Sequence, residues 1–374
     1  MTHTTDSSPR YNILILGASY GALLAIKCLA AGHNVTVTCR TATAALINAE
    51  GIRVRLPIKG RPDMGTNGLL EVASSTLKGQ LLASTPQDVG DLSAFDLVVL
   101  AMQEPQYSQD GIRQLMARIA ASGLPCMPIM NMPPLPYLSR LKAANPSLDV
   151  AACRPAYADA SIWDAFDPAL MTLSSPDPQA FRPVDEPVNV LQVALPTNFK
   201  AARFESEAHT QILRQLDADI EAVRVPVTTA AGQESVELPV KLKVFDSLFV
   251  PLAKWSMLLT GNYRCIQATD MRPIRDAILA DRAASQDVYE WVAKLCISLG
   301  AAPSDLVPFE KYAAAANGLA KPSSAARALL AGAKNIERVD IIVQALAQQL
   351  GMSHPSVDQT VVLVEQWLAK NRAA

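Results

Sequence analysis

The stretch from Tyr11 to Cys39 constrains this chain more than any other. It opens with a short apolar run, Asn12-Ile-Leu-Ile-Leu16, and a turn of small residues; an apolar segment of helical length then leads to Ala31 and a stop at Gly32, before a second run, Asn34-Val-Thr-Val-Thr-Cys39. Two short aliphatic runs flanking one helix-forming segment specify a βαβ unit, and parallel strands joined in this way belong inside a sheet covered on both faces. Further apolar runs at Gly51–Leu56, Leu69–Val72, Asp96–Met102 and Cys126–Met130, interleaved with helix-like segments such as Asp110–Ala121, continue the rhythm. The expected fold class is α/β: an N-terminal Rossmann-like, doubly wound domain followed by a mostly helical C-terminal domain.

Composition allows such a fold and excludes several others. Half of the 374 residues are hydrophobic and 18% are charged, enough apolar surface to offset the entropy of ordering. Lys plus Arg number 33 against 35 for Asp plus Glu, so no broad positive field exists to attract nucleic acid. Six scattered cysteines without a C-x-x-C pair, and four histidines, argue against a metal site or a disulfide scaffold. Residues 1–10 are polar and read as a loose tail rather than a secretion signal, which points to a cytoplasmic protein. Ile119–Leu138 carries no charge over 20 residues, but Pro125, Pro128, Pro133, Pro134 and Pro136 interrupt it, so a strand and loop are expected there and no membrane segment.

The domain pattern follows from texture. The α/β domain is expected over 11–242, with Pro-rich and acidic insertions at about 155–240 that hold a strand at Val188–Leu195 and a helix at Glu205–Val223. Residues 243–374 carry long helical patterns at Phe245–Leu259, Met271–Leu299, Ser323–Leu350 and His354–Lys370, and are expected to form a substrate and dimerisation domain.

Gly17-Ala18-Ser19-Tyr20-Gly21-Ala22 lies where the first strand meets its helix, the place where backbone amides and a helix N-terminus approach a pyrophosphate. Read without a gap, the dinucleotide fingerprint falls on Gly17, Ser19 and Ala22; read with a loop one residue shorter, Gly17 and Gly21 take its first and third places. The second strand ends in Arg40, where NAD sites usually place a carboxylate on the ribose diol and an arginine suits a 2′-phosphate. The expected cofactor is therefore NADP(H), with a solvated strand-end arginine as the plainer alternative.

Between Ser247 and Tyr263 the only charge is Lys254. Desolvation there would disfavour the ammonium and suit it to donate a proton in reductive chemistry, whereas a lysine snorkelling out of a buried helix is the structural alternative. Asn262 follows eight residues on, about two helical turns, so both side chains would lean to one side if the helix is continuous.

These residues resemble the ketopantoate reductase family, NADPH-dependent reductases of a 2-oxo acid. The likeness is carried by ILILGASYG with NVTVTCR, DLVVLAMQEPQYS, PIMNMPPLPYL, KWSMLLTGN, and KPSSAARALLAGAKNIERVDIIVQALAQQLG. The resemblance implies that Lys254 protonates the substrate oxygen, that Asn262 and Ser323 contact the substrate, and that Asn131 bridges cofactor and substrate. It sets Gln103, in place of a family lysine, beside the cofactor, with Gln106 at a nearby family position. The family's second asparagine is Leu258 here, and its substrate-binding glutamate aligns with Asn335. Glu337 is near, but on a helix two residues turn it by roughly 200° to the other side. These changes point to a divergent member with a different, less polar carbonyl substrate, bound in a cleft between the sheet's C-terminal edge and the helical domain. A homodimer is the expected assembly. The competing readings are a non-catalytic NADP(H)-binding or sensing protein of the same fold, and an opine- or imine-type reductase.

Overall fold

Strand β1 (Asn12–Leu16) is buried along Ile13–Leu16, which requires neighbours on both edges and cover on both faces. Its neighbours are β2 (Asn34–Thr38) and β6 (Leu97–Leu100), both parallel to it, with Ile13 opposite Val35 on one edge and Leu97 on the other. In the computed structural model, which describes residues 9–62, 64–65, 67–229 and 232–374, a strand β5 (Leu81–Ser84) and a strand β7 (Cys126–Pro128) complete a parallel sheet of order β5-β2-β1-β6-β7. This is the 3-2-1-4-5 order of the doubly wound fold. Residues 1–8 of the expected tail lie outside the described residues.

Helix α1 (Tyr20–Ala31) is buried from Gly21 to Ala30, on every side. One face packs on the sheet, and α5 (Glu207–Ala222) from the extra segment packs against it as well. The all-round apolar sequence of α1 follows from that double cover. Even Lys27 is buried there; its ammonium donates to the Pro239 carbonyl, and desolvation holds its pKa well below the usual lysine range. Helix α2 (Thr41–Glu50) follows β2, and α3 (Asp110–Ser122) precedes β7.

The sheet corrects one detail of the sequence reading. The runs at 51–56 and 69–72 form β3 (Arg53–Pro57) and β4 (Leu69–Ala73), an antiparallel pair in a second sheet of order β4-β3-β10-β9, where β9 is Gln179–Phe181 and β10 is Val190–Leu195. The third strand of the parallel sheet is β5, whose four residues end in polar neighbours and carry a weak apolar signal. A three-stranded sheet takes β8 (Ser174–Ser175), β11 (Phe199–Ala202) and β14 (Leu242–Phe245), and β12 (Arg224–Thr229) pairs with β13 (Gly232–Glu237) as a hairpin.

The chain divides into two units. The first takes residues through Met102, Asp110–Met130 and Ala169–Phe245; the second takes Gln103–Gln109, Asn131–Pro168 and Asp246–Ala374. The stretch expected to be one domain over 11–242 thus gives Gln103–Gln109 and Asn131–Pro168 to the second unit. That unit is helical: α4 (Leu135–Arg140), α6 (Lys254–Met257), α7 (Ile274–Leu279), α8 (Arg282–Ser298), α9 (Phe309–Ala316), α10 (Ser324–Leu330), α11 (Val339–Gln349) and α12 (Pro355–Ala373). The pattern read as one helix over 323–350 is two helices with a loop between them, because Gly332 adopts φ +88° after α10 and stops it. Ile119–Leu138 is the end of α3, β7, a loop and the start of α4, and no helix of the described residues is long and apolar enough to cross a membrane.

Candidate functional site

Each unit holds part of the expected machinery. In the first, Gly17 ends β1 with φ +104°, a conformation that only glycine adopts at little cost. A Cβ there would lie 2.7 Å from Met102 Cγ and 2.8 Å from the Ala101 carbonyl oxygen. A Cβ on Gly21 would lie 2.6 Å from Ile15 Cγ2. Gly21 therefore makes the close contact between helix and strand that the shorter-loop alignment gives to the third fingerprint glycine. Ser19 stands at the N-cap of α1 but makes no side-chain cap, and Tyr20 opens the helix. The Gly17 amide donates to the Thr38 carbonyl at 3.0 Å, tying the turn to the end of β2. Arg40, exposed, then begins α2. The turn fits a dinucleotide: a left-handed glycine, a helix end without a side-chain cap on Ser19, and Ala18 between them leave backbone as the wall of the site.

In the second unit, Gln103, Asn131, Asn262, Ser324 and Glu337 supply the polar lining of one pocket, with Leu258, Tyr263, Ala325, Ala328, Ile336 and Val339 between them. Four separate segments deliver these groups. Gln103 caps a short turn at Glu104–Gln106, its amide bonded to Gln106 Oε1 at 3.0 Å. Asn131 follows the end of β7; its Nδ2 reaches Glu337 Oε2 at 3.5 Å, and its Oδ1 is buried without a hydrogen-bond partner among the described residues.

Lys254 opens α6, half-buried in a run from Pro251 to Gly261 in which all other residues except Met257 are buried. After Met257 the helix widens into a π-turn over Leu258–Asn262, closed by the Tyr263 amide on the Leu258 carbonyl at 2.9 Å. The helix stays continuous, and the extra residue per turn alters the phase at which Asn262 emerges. Leu258 and Asn262 both line the pocket, and the Lys254 ammonium is near enough to favour the ionised form of Glu337.

Two of the residues expected to contact substrate, Ser323 and Asn335, do not line this pocket. Ser323 is 3% exposed; its hydroxyl donates to the Asn262 carbonyl at 2.7 Å and accepts from the Ala326 amide at 3.1 Å as the cap of α10. It braces Asn262, and Ser324 is the serine that lines the pocket. Asn335 is exposed, with Oδ1 accepting from Arg372 Nη2 at 3.2 Å. The helical rotation expected to remove Glu337 does not apply, because residues 331–338 are a loop. Tyr263 clamps that loop: its hydroxyl donates to the Glu337 carbonyl and accepts from the Val339 amide at 3.0 Å. Arg338 anchors the opposite side through Asp340 and Glu365, at 2.9 Å and 2.8 Å. Glu337 is left facing the pocket.

Glu337 is pushed up to about 7, by desolvation first, while bonds from Asn131 and the Glu104 amide hold it down. Glu104 is fully buried and is also pushed up to about 7 by desolvation, despite a 3.0 Å bond from the Ala158 amide to its Oε2. Its Oε1 has no hydrogen-bond partner among the described residues. The ionised forms of Glu104 and Glu337 repel each other. Glu104 escaped the sequence reading: an acid between glutamine and proline after a strand carries no mark of burial.

A parallel sheet in this order, with a glycine turn at the switch beside β1 and a helical second unit, defines the class of α/β fold that binds dinucleotides. No family model and no curated protein matches the chain. Solved structures do match it. A 2-dehydropantoate 2-reductase from Methylococcus capsulatus aligns with a TM-score of 0.64 and 12% identity, over 96% of this chain and 97% of its own. A dimeric ketopantoate reductase from Staphylococcus aureus aligns at 0.57 and 9% identity, over 96% and 99%. A D-mandelate dehydrogenase in complex with NADH aligns at 0.56 and 11% identity, over 97% and 99%. The chain therefore has the ketopantoate reductase fold, in a divergent sequence.

Proposed function

We propose that this protein is an NADP(H)-dependent oxidoreductase that reduces a 2-oxo acid or related ketone to the hydroxy compound. The observation that carries the reading is the polar pocket of the helical unit, where Asn131, Asn262, Ser324 and Glu337 line one cavity and the charge of Lys254 is felt, in a chain with the fold of known reductases. Arg40 at the end of β2, with no carboxylate in its place, supports the phosphorylated cofactor. NADPH, when bound, supplies the hydride.

The chain's own residues handle the charge that develops. As the carbonyl carbon accepts hydride, its oxygen becomes an alkoxide, and the Lys254 ammonium gives it a proton and ends neutral. Asn262 and Ser324 offer donors to the substrate carboxylate. Asn131, with its idle Oδ1, has an acceptor for a substrate hydroxyl or a cofactor amide. Leu258, Ile336 and Val339 make much of the wall apolar, which supports a substrate less polar than ketopantoate. One neighbour is a mandelate dehydrogenase, so an aromatic 2-oxo acid is a natural first compound to test. One neighbour is also described as dimeric, and a homodimer is proposed here on that analogy.

Oxidation of NADPH, followed by loss of its absorbance across aliphatic and aromatic 2-oxo acids and simple ketones, tests the reading. Turnover with at least one of them, and ketopantoate not the best, is the expected result. Bound NADPH that no carbonyl oxidises would replace the reductase reading by that of a binding protein.

A further inference from the structure

The extra segment carries an arginine to the glycine turn. Arg182 directly follows β9, the edge strand of the second sheet, where Phe181 pairs with Gln192 of β10. Its Nη2 donates to the Ala18 carbonyl at 2.7 Å. Ala18 follows Gly17, Gly17 is bonded to Thr38, and Arg40 lies two residues beyond Thr38. Two guanidiniums thus flank one turn.

Neither is neutralised from within the protein. Among the described residues, no carboxylate lies within 4.0 Å of the Arg40 or Arg182 guanidinium. Of the acids near Arg182 along the chain, Glu186 is committed to Arg55 at 2.7 Å and Asp177 to Lys200 at 2.9 Å, while Asp185 is exposed and lies beyond ion-pair distance of the guanidinium. Arg182 is half-buried, and both desolvation and the charge of Arg40 act against its own. A partly desolvated like-charge pair is costly unless an anion completes it. The planar fork of arginine favours a phosphate oxygen pair over a point charge.

We propose that Arg40 and Arg182 together bind the 2′-phosphate of NADP(H), Arg182 being a specificity-determining residue supplied by the extra segment. This rests on the cofactor reading above. A phosphomonoester carries close to two negative charges near neutral pH, matching two guanidiniums. The pyrophosphate, present in both nicotinamide cofactors, would be held by the N-terminus of α1, so a residue serving the 2′-phosphate would alter preference between cofactors and not affinity for both.

The test is the ratio of NADPH to NADH affinity, measured by fluorescence titration of the full chain and of Arg182→Ala, Arg182→Lys and Arg40→Ala. Arg182→Ala is expected to weaken NADPH at least tenfold and to leave NADH within about twofold, with Arg40→Ala alike and a shallower dependence of NADPH affinity on salt in both. Should Arg182→Ala not fold, Arg182→Lys decides: it keeps the charge, loses the fork, and is expected to cost several-fold in NADPH alone. Equal loss of both nucleotides would assign Arg182 to the turn or the pyrophosphate and overturn the proposal, as would an unchanged ratio. A wild-type protein that prefers NADH would instead sink the cofactor reading itself.

Discussion

The glycine turn and the polar pocket are built by opposite means. At the turn, backbone makes the wall: Gly17 and Gly21 matter because a Cβ would strike Met102 or Ile15, and even Arg182 meets the turn through backbone, at the Ala18 carbonyl. In the pocket, side chains from four distant segments converge, and their chemistry depends on how Tyr263, Ser323 and Arg338 brace the loops that carry them. A wall made of backbone is sensitive to any added Cβ, while a pocket made of braced side chains can be altered one residue at a time.

The sharpest way to separate the two is Lys254→Ala. Turnover should fall roughly 10²- to 10⁴-fold, the range for loss of a positioned acid, while NADPH affinity measured by fluorescence stays near wild type. A comparable loss of nucleotide binding would mean that the division of labour is wrong.

Glu104→Gln acts on stability through pH. Glu104 is raised to about 7 in the folded protein against an ordinary value of 4.5, so the fold favours its protonated form, and wild-type stability declines as pH rises from about 4.5 through 7. The glutamine variant should match wild type at pH 4.5 and exceed it at pH 8, by on the order of 2–3 kcal/mol in urea unfolding. Parallel pH profiles for the two proteins would show that the carboxylate is not held against its preference.

Gly17→Ala tests the turn with no change of charge. Its φ of +104° and the short approach to Ala101 should cost about 1–3 kcal/mol in thermal stability and weaken NADPH and NADH equally. Loss of one nucleotide alone would contradict a backbone wall.

The smallest effect is expected from Glu337→Gln. Glu337 ionises near 7, and the charge it gains repels a substrate carboxylate, so KM for a 2-oxo acid should climb up to about tenfold between pH 6 and pH 8. The variant should flatten that climb and leave NADPH affinity unaltered.

Legibility in the sequence followed the same division. The βαβ unit, Gly17, Gly21 and the apolar α1 were readable because sterics and period act locally, and the fold class with them. Strand β5 was missed because a four-residue strand with polar flanks has almost no periodic signal. In the pocket, Asn262 was singled out by its spacing from Lys254 and Asn131 by the resemblance, and Gln103, assigned to the cofactor, lines it too. Asn335 and Ser323 came from the resemblance, and the helical rotation set against Glu337 does not hold, because Gly332 ends α10 and a loop follows. Arg182 was invisible, since the hydrogen bond that brings it to Ala18 spans 164 residues of sequence.

The π-turn at Leu258–Asn262 has an evolutionary reading. Because it holds one surplus residue between Lys254 and Asn262, deleting that residue would return the segment to ordinary α-helix with Asn262 near its present angle, since about seven α-helical steps turn as far as eight steps through a π-turn. A lineage can therefore gain or lose one residue at this point without rotating the chain that follows it.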